Sequence, residues 1–415
     1  MDEQLLGDYE QHGEVPEEEV VRTVDKKSLE YVTFLVIGLS YLWPWNCFLA
    51  ATAYFTGRLA ENEYLKTHLS SYIMSVSTIT GTIASLILAD RQRGANYAGR
   101  VFSGEVMICA TFILMALSCI FGNVGTVSYF LFVMLCVWGS TVGTAFAQNG
   151  SFAVVNTIDS VYTQAIMVGQ AVAGVLPPLI NFLSTLLARK VSNDDATAGG
   201  SGMSAAMYFL VASVVSGVAF SLFMLIKRRH GELLHTHSEQ TAVKTHIPLS
   251  VLLKKLRSPA FAVFFTFAVT LVYPVFISNI DSANGIRYEL FVPLSFLVWN
   301  LGDLGGRVLC GYEQYVVKSS HRFVFYAILR LSFIPAYLLC NVHGSGWIKS
   351  DFIYFLIHFT FGVTNGHLGS SGMMSPPDYV DEHEKAAAGG FMTLVLSLGL
   401  AAGALSSFIL VSILS

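Results

Sequence analysis

Apolar runs of bilayer length recur eleven times along this 415-residue chain, and that recurrence leaves few folds open. A helix needs roughly 20 largely apolar residues to cross the hydrocarbon core. The runs cover 31–55, 69–89, 101–121, 128–153, 165–187, 204–226, 259–278, 290–310, 323–340, 352–371 and 386–414, called spans 1 to 11 below. The last is the plainest, because no charged residue follows Lys385. Composition agrees: 53% of residues are apolar, 13% are charged, and mean hydropathy is +0.58. Soluble domains carry about twice that charged fraction. Lipid offers no partner to an open backbone, so repeated spans of this length predict an all-α polytopic membrane protein.

Orientation follows from the basic residues. With the N-terminus in the cytoplasm, the tail and the 2–3, 4–5, 6–7, 8–9 and 10–11 connections hold 16 Lys and Arg, and the opposite connections hold 6. The positive-inside bias therefore predicts a cytoplasmic N-terminus and, with an odd number of spans, an extracytoplasmic C-terminus. The first 30 residues are acidic and lack an apolar core, which argues against a cleaved signal peptide. The acidic stretch 14–19 reads as disordered, and it supplies part of the net charge of −4, which says little about partners. Leu5-Leu6 after Asp2-Glu3 is one residue short of an acidic dileucine sorting signal; an unstructured leader is the other reading.

All six cysteines (Cys47, Cys109, Cys119, Cys136, Cys310 and Cys340) lie within or at the ends of spans, where they act as small apolar residues. Neither a disulfide framework nor a metal site is expected. The sequon Asn149-Gly150-Ser151 falls inside span 4, out of reach of glycosylation. Residues 227–258 form a polar segment with His230, His235, His237 and His246 and basic residues at both ends. It divides the chain into a tail (1–30), a six-span half (31–226), a cytoplasmic linker (227–258) and a five-span half (259–415), the plan of a two-bundle transporter. Its histidines lack the spacing of a metal site and read as part of a solvated linker.

No Gly-x-x-x-x-Gly-Lys-Ser/Thr phosphate loop occurs and no soluble segment is long enough for a nucleotide-binding domain, so ATP-driven pumping by this chain alone is not expected. Nothing indicates a cofactor, a nucleic-acid partner or an enzyme constellation. Between spans 2 and 3, Ala89-Asp90-Arg91 followed by Gly94 and Gly99-Arg100 is a loose form of the acidic–basic–glycine loop of major-facilitator proteins. It either braces span 2 or serves only to fix topology.

Polar residues on the spans outline a cavity. Span 8 carries Asn300, Asp303 and Arg307; a charge at mid-membrane costs about 2.5–3.5 kcal/mol on insertion scales, so an acid–base pair there calls for a function. At i and i+4 the two share a helix face and can neutralise each other, which leaves a structural clamp as the competing reading. Span 1 carries Trp43-Pro44-Trp45-Asn46, where Pro44 removes a helical hydrogen bond beside a wide aromatic ring and an amide. Span 4 offers Gln148 and Asn149, span 5 Gln170, and span 10 Asn365 and His367. Asparagine and glutamine also join transmembrane helices by hydrogen bonds, and for Asn149 and Asn365 that reading stands equal.

Together, Pro44-Trp45-Asn46, Gly169-Gln170 before Pro177-Pro178, Asp303-Leu-Gly-Gly-Arg307, Thr364-Asn365-Gly366 and the small residues of span 11 resemble the equilibrative nucleoside transporter family. The resemblance extends over 31–414. It implies a major-facilitator-like fold of six plus five helices and bidirectional movement of purine and pyrimidine nucleosides, with nucleobases as a further class. On this resemblance Leu42 and Trp45 contact the nucleoside with Asn46 nearby, Gln170 bonds the base, Asn300 lies beside it, and Asp303 and Arg307 engage the ribose hydroxyls. Gln148, Asn149, Asn365 and His367 complete the cavity wall. The 6–7 connection is shorter than in the human plasma-membrane members, and a glycosylated 1–2 connection is missing. The likeness leans to fungal and intracellular members, for which protons are a candidate partner, with Glu105 or the Asp303–Arg307 pair as the titrating group; a brace for the 2–3 connection is the equal alternative for Glu105, and vacuolar or lysosomal and plasma membranes both stay open. A proton-coupled carrier of another small polar solute and a non-transporting sensor or scaffold are the alternatives.

Overall fold

The computed structural model describes residues 28–120, 124–188, 202–229, 246–271 and 273–414. The acidic tail, its dileucine and the linker residues His230, His235 and His237 lie outside the described residues. Span 1 forms α1 (Leu29–Ala50) and, beyond a break at Ala51, α2 (Thr52–Arg58). Spans 2 to 6 are α3 (Glu63–Asp90), α4 (Tyr97–Ser118), α5 (Thr126–Ile158), α6 (Ser160–Ala188) and α7 (Gly202–Arg229). A short α8 (Leu249–Lys255) leads into span 7, divided into α9 (Arg257–Thr270) and α10 (Tyr273–Asn279). Span 8 is α11 (Tyr288–Leu309). Span 9 is broken into α12 (Ser320–Leu329) and α13 (Phe333–Leu338) by a 3-10 turn at Arg330–Ser332. Spans 10 and 11 are α14 (Asp351–Met374) and α15 (Lys385–Leu414). Among the described residues there is no strand, only the isolated bridges Ile280–Val342 and Cys340–Ile348.

Eight helical stretches among the described residues are long and apolar enough to cross a membrane by length and composition. Spans 8, 9 and 10 fall short of that measure, so the expected count of eleven is not established by it. Each of the three is where polarity concentrates: Asp303 and Arg307 on α11, Arg330 at the break of span 9, and His358, Asn365 and His367 on α14. Pro44 does not end α1, which runs six residues further.

In the first half, α1 packs on α6 and α7, and α4 on α5 and α7; in the second, α11 packs on α14, and α9 on α12, α14 and α15. The halves meet through α6 against α11 and through α15 against α3 and α5. Lipid is as apolar as leucine, so helices in it are joined by close contact more than by a hydrophobic drive. Glycine supplies that contact at two crossings. A Cβ on Gly38 or Gly169 would run into the backbone of the facing helix where α1 crosses α6, and the same holds for Gly302, Gly306, Gly362 and Gly366 where α11 crosses α14. Aromatic side chains fill what remains, with Phe48, Phe55, Phe112 and Phe209 in the first half and Tyr273 stacked on Trp299 at 4.3 Å in the second.

One end of the molecule carries the basic connections, and there the 2–3 loop does brace its neighbours. Arg100 at the start of α4 donates to the Leu88 carbonyl (2.9 Å) and the Arg91 carbonyl at the end of α3, and to Asn149 Oδ1 on α5. Asn149 passes the contact on through Nδ2 to the Gly390 carbonyl of α15 (3.4 Å). His246 at the far end of the linker meets Asp90 at 3.1 Å, and the Ile247 amide donates to Gln92 Oε1.

Candidate functional site

Asp303 and Arg307 lie one turn apart on α11, 3% and 6% exposed, with Arg307 Nε donating to Asp303 Oδ2 at 2.8 Å. A buried ion pair returns little net stability once desolvation is counted. The pair sits on the seam between the halves. Arg307 Nη1 donates to the Met167 carbonyl (2.9 Å) and to Gln170 Oε1 (3.3 Å) on α6, and Gln164 Nε2 donates to the Arg307 carbonyl (3.1 Å). Tyr31 on α1 fixes Gln164 by donating to its Oε1 at 2.8 Å. Among the described residues, Arg307 Nη2 and the buried Gln170 Nε2 make no hydrogen bond to protein. A buried donor without an acceptor costs about 1–3 kcal/mol, which a solute oxygen placed there would recover.

The other sequence candidates divide into three groups. Leu42 and Asn300 converge with the pair's neighbourhood: a Cβ on Gly174 of α6 would lie 2.5 Å from Asn300 Oδ1 and 3.7 Å from Leu42 Cδ2. Asn46 faces the same helix but is engaged, its Nδ2 donating to the Ala173 carbonyl at 2.8 Å. Trp45 belongs to a second group on the opposite flank of α1. With Tyr41, Pro44, Phe48, Ser140, Thr141 and Thr144 it lines a small open recess of about 80 Å³ toward α3 and α5. Gln148 is half-buried on α5 and makes no side-chain hydrogen bond among the described residues.

Three candidates serve as connectors. Asn149 joins Arg100 to α15 at the basic end, as described above. His367 Nε2 contacts the Tyr315 carbonyl at 2.6 Å in the 8–9 connection. Asn365 Nδ2 donates to Asp303 Oδ1 at 2.7 Å, which makes it a support of the acid. Sequence reasoning missed Arg330, whose guanidinium reaches Asn365 Oδ1 at 2.9 Å. The signal was the same one that exposed Asp303, a charge within an apolar run. The hydroxyls of the Trp45 recess were also missed, since serine and threonine in a span carry no signal of their own.

Glu105 does not touch the 2–3 loop. It is buried between α1, α4 and α7, accepts from Ser40 Oγ at 2.7 Å, and leaves Oε2 without a hydrogen-bond partner. At the basic end Asp381, His383 and Glu384 cluster closely enough to hold a metal, but Lys255 already meets Asp381 at 3.0 Å and Glu384 at 2.6 Å.

The profile of the Nucleoside transporter family matches residues 132–244 and 227–412. The nucleoside transporter FUN26 of Saccharomyces cerevisiae is 33% identical over 94% of this chain and 85% of its own length. Equilibrative nucleoside transporter 1 of Homo sapiens is 26% identical over 93% of the chain and 97% of its own. Among solved structures, the major-facilitator proton:xylose symporter XylE aligns with a TM-score of 0.62 at 12% identity, over 93% of this chain and 88% of its own. The fucose:proton symporter FucP of E. coli aligns at 0.55 and 12% identity, over 92% of each. Those two likenesses establish a major-facilitator-like fold. The profile match and the long alignment with FUN26 establish more: the chain belongs to the nucleoside transporter family.

Proposed function

We propose that this protein carries purine and pyrimidine nucleosides across a membrane by alternating access, with Asp303 and Arg307 as the centre of the site. The observation that carries the reading is the buried pair on the seam between the halves, with Arg307 Nη2 and Gln170 Nε2 as donors left for a solute. A nucleoside offers a neutral diol, amide-like edges and a flat π face. The diol donates to Asp303 and accepts from Arg307, the base edge accepts from Gln170, and Leu42 and Asn300 bound the space beside it. Trp45 supplies an aromatic wall from the other flank of α1, reached as the halves move. Asn46, Asn149, Asn365 and His367 hold helices and connections in this reading and do not touch the solute.

Spans 8, 9 and 10 cross the bilayer in this proposal, because their charges are engaged within the protein and not presented to lipid. The basic end faces the cytoplasm together with the N-terminus, and the C-terminus lies on the other side, supported by the 16 to 6 split of Lys and Arg. Protons enter as an assisting ligand, with Glu105 or Asp303 as the group that takes them up. The test is uptake of radiolabelled uridine and adenosine into proteoliposomes, with and without an inward proton gradient. Saturable uptake without a gradient is expected, and stimulation by external acid would assign the proton a part and favour an acidic organelle. Absence of nucleoside and nucleobase uptake by folded protein would refute the proposal.

A further inference from the structure

A second buried cation stands behind Asp303, and nothing in the proposed site accounts for it. Arg330 is 1% exposed, at the 3-10 turn that breaks span 9. Its hydrogen bonds all run to α14: Nη1 to the Phe361 carbonyl (3.3 Å) and Thr364 Oγ1 (2.8 Å), and Nη2 to Asn365 Oδ1 (2.9 Å). The guanidinium also lies 4.8 Å from the centre of the Phe361 ring. Among the described residues no carboxylate pairs with it directly. The acid it addresses is Asp303, one residue removed, because Asn365 Nδ2 donates to Asp303 Oδ1 at 2.7 Å.

An amide can lie either way round, and here its neighbours decide. A guanidinium only donates and a carboxylate only accepts, so Asn365 must turn its oxygen to Arg330 and its nitrogen to Asp303. Turned over, it would set oxygen against carboxylate and NH2 against guanidinium. Thr270 Oγ1 also lies 2.5 Å from Asn365 Oδ1, but a hydroxyl both donates and accepts, and this one reaches the Thr266 carbonyl at 2.7 Å as well. Thr270 therefore tolerates either orientation. Arg330 does not.

We propose that Arg330 is a positioning residue for solute selection: through Asn365 it fixes one oxygen of Asp303 while Arg307 fixes the other, so that the carboxylate meets the ribose hydroxyls in one orientation. The inference rests on the assignment of Asp303 to the ribose. Its consequence is selective. Loss of Arg330 weakens recognition of the diol and leaves the handling of a solute without hydroxyls at C2′ and C3′ unchanged.

The experiment compares KM for uridine and for 2′,3′-dideoxyuridine in proteoliposomes. Wild-type protein is expected to prefer uridine. Arg330→Gln should raise KM for uridine about tenfold, the size of one lost charge-assisted contact, and leave KM for dideoxyuridine within about twofold. Asn365→Ala should do the same, the double variant should be no worse than either single one because both act through one contact chain, and Arg330→Lys should restore part of the preference. Asn365→Ala carries the test on its own if Arg330→Gln fails to insert. Equal losses for both permeants, or additive effects, would mean that Arg330 only holds the fold and would overturn the inference. A wild-type protein with no preference for uridine would overturn the ribose assignment of Asp303 itself, and a preference that survives Arg330→Gln would overturn the inference alone.

Discussion

The acid at the centre of this protein is held from two sides, by Arg307 Nε at 2.8 Å and Asn365 Nδ2 at 2.7 Å. Half of that arrangement is legible in the sequence. An acid and a base four apart in an apolar run must share a helix face, so Asp303 and Arg307 announce each other. Asn365 lies 62 residues from Asp303 and Arg330 another 35 from Asn365, and only the fold brings the three together. Trp45 and Asn46 show a different limit: successive helical residues point about 100° apart, so neighbours in one motif serve different flanks of α1. At the basic end, residue chemistry yields a pH dependence. Hydrogen bonding and charge from Lys255 hold the Asp381 carboxyl below its ordinary value, and Glu384 and then Asp381 raise the Lys255 ammonium. The acid's contribution is complete above its unfolded value and is lost as pH falls through its lowered folded value; the lysine's is complete below its unfolded value and is lost as pH rises through its raised one. Lys255→Ala should therefore lower the melting temperature equally across about pH 5 to 9 and converge with wild type below about pH 4. A difference that persists in acid would contradict this pairing.

At the scale of elements, composition located the long helices and missed where they break. Span 9 reads as one run, yet the helix tightens into a 3-10 turn at Arg330–Ser332, where Pro335 cannot donate to the Leu331 carbonyl, and Arg330 on that turn reaches acceptors on α14. The α11–α14 crossing depends on Gly302, Gly306, Gly362 and Gly366, which the sequence marks only as small residues of the kind frequent in any membrane bundle. Gly366→Val places its Cβ against the Asp303 carbonyl and should cost about 3 kcal/mol or more of stability, read as a lower melting temperature in detergent. Gly305 meets nothing within 4 Å, and Gly305→Ala should be neutral in the same assay. Equal effects of the two would argue against the crossing as described.

The whole molecule is closed at its basic end, where α15 lies on α5 and α3 through Asn149–Gly390 and Ser85–Ser397, and where a Cβ on Gly389 would run into the Phe152 carbonyl. A carrier that alternates must part these surfaces. Gly389→Leu should drive them apart, lengthening the distance between spin labels at Arg93 and Asp378 by several ångströms; an unchanged distance would mean that the two halves do not open at this end. The polar segment 227–258 is the one place where composition suggests a division of the chain, whereas the contacts that close the basic end leave no mark in composition, because they are backbone approaches. The most direct test of the central claim is uridine exchange by Asp303→Ala and Arg307→Ala in proteoliposomes, with folding checked by melting temperature. Both variants are expected to fold with a lowered melting temperature, because one buried charge loses its partner, and to lose exchange by at least about a hundredfold, the cost of removing one charged contact to the solute. Exchange at the wild-type rate in either variant would show that the buried pair is a clamp and that the nucleoside passes elsewhere.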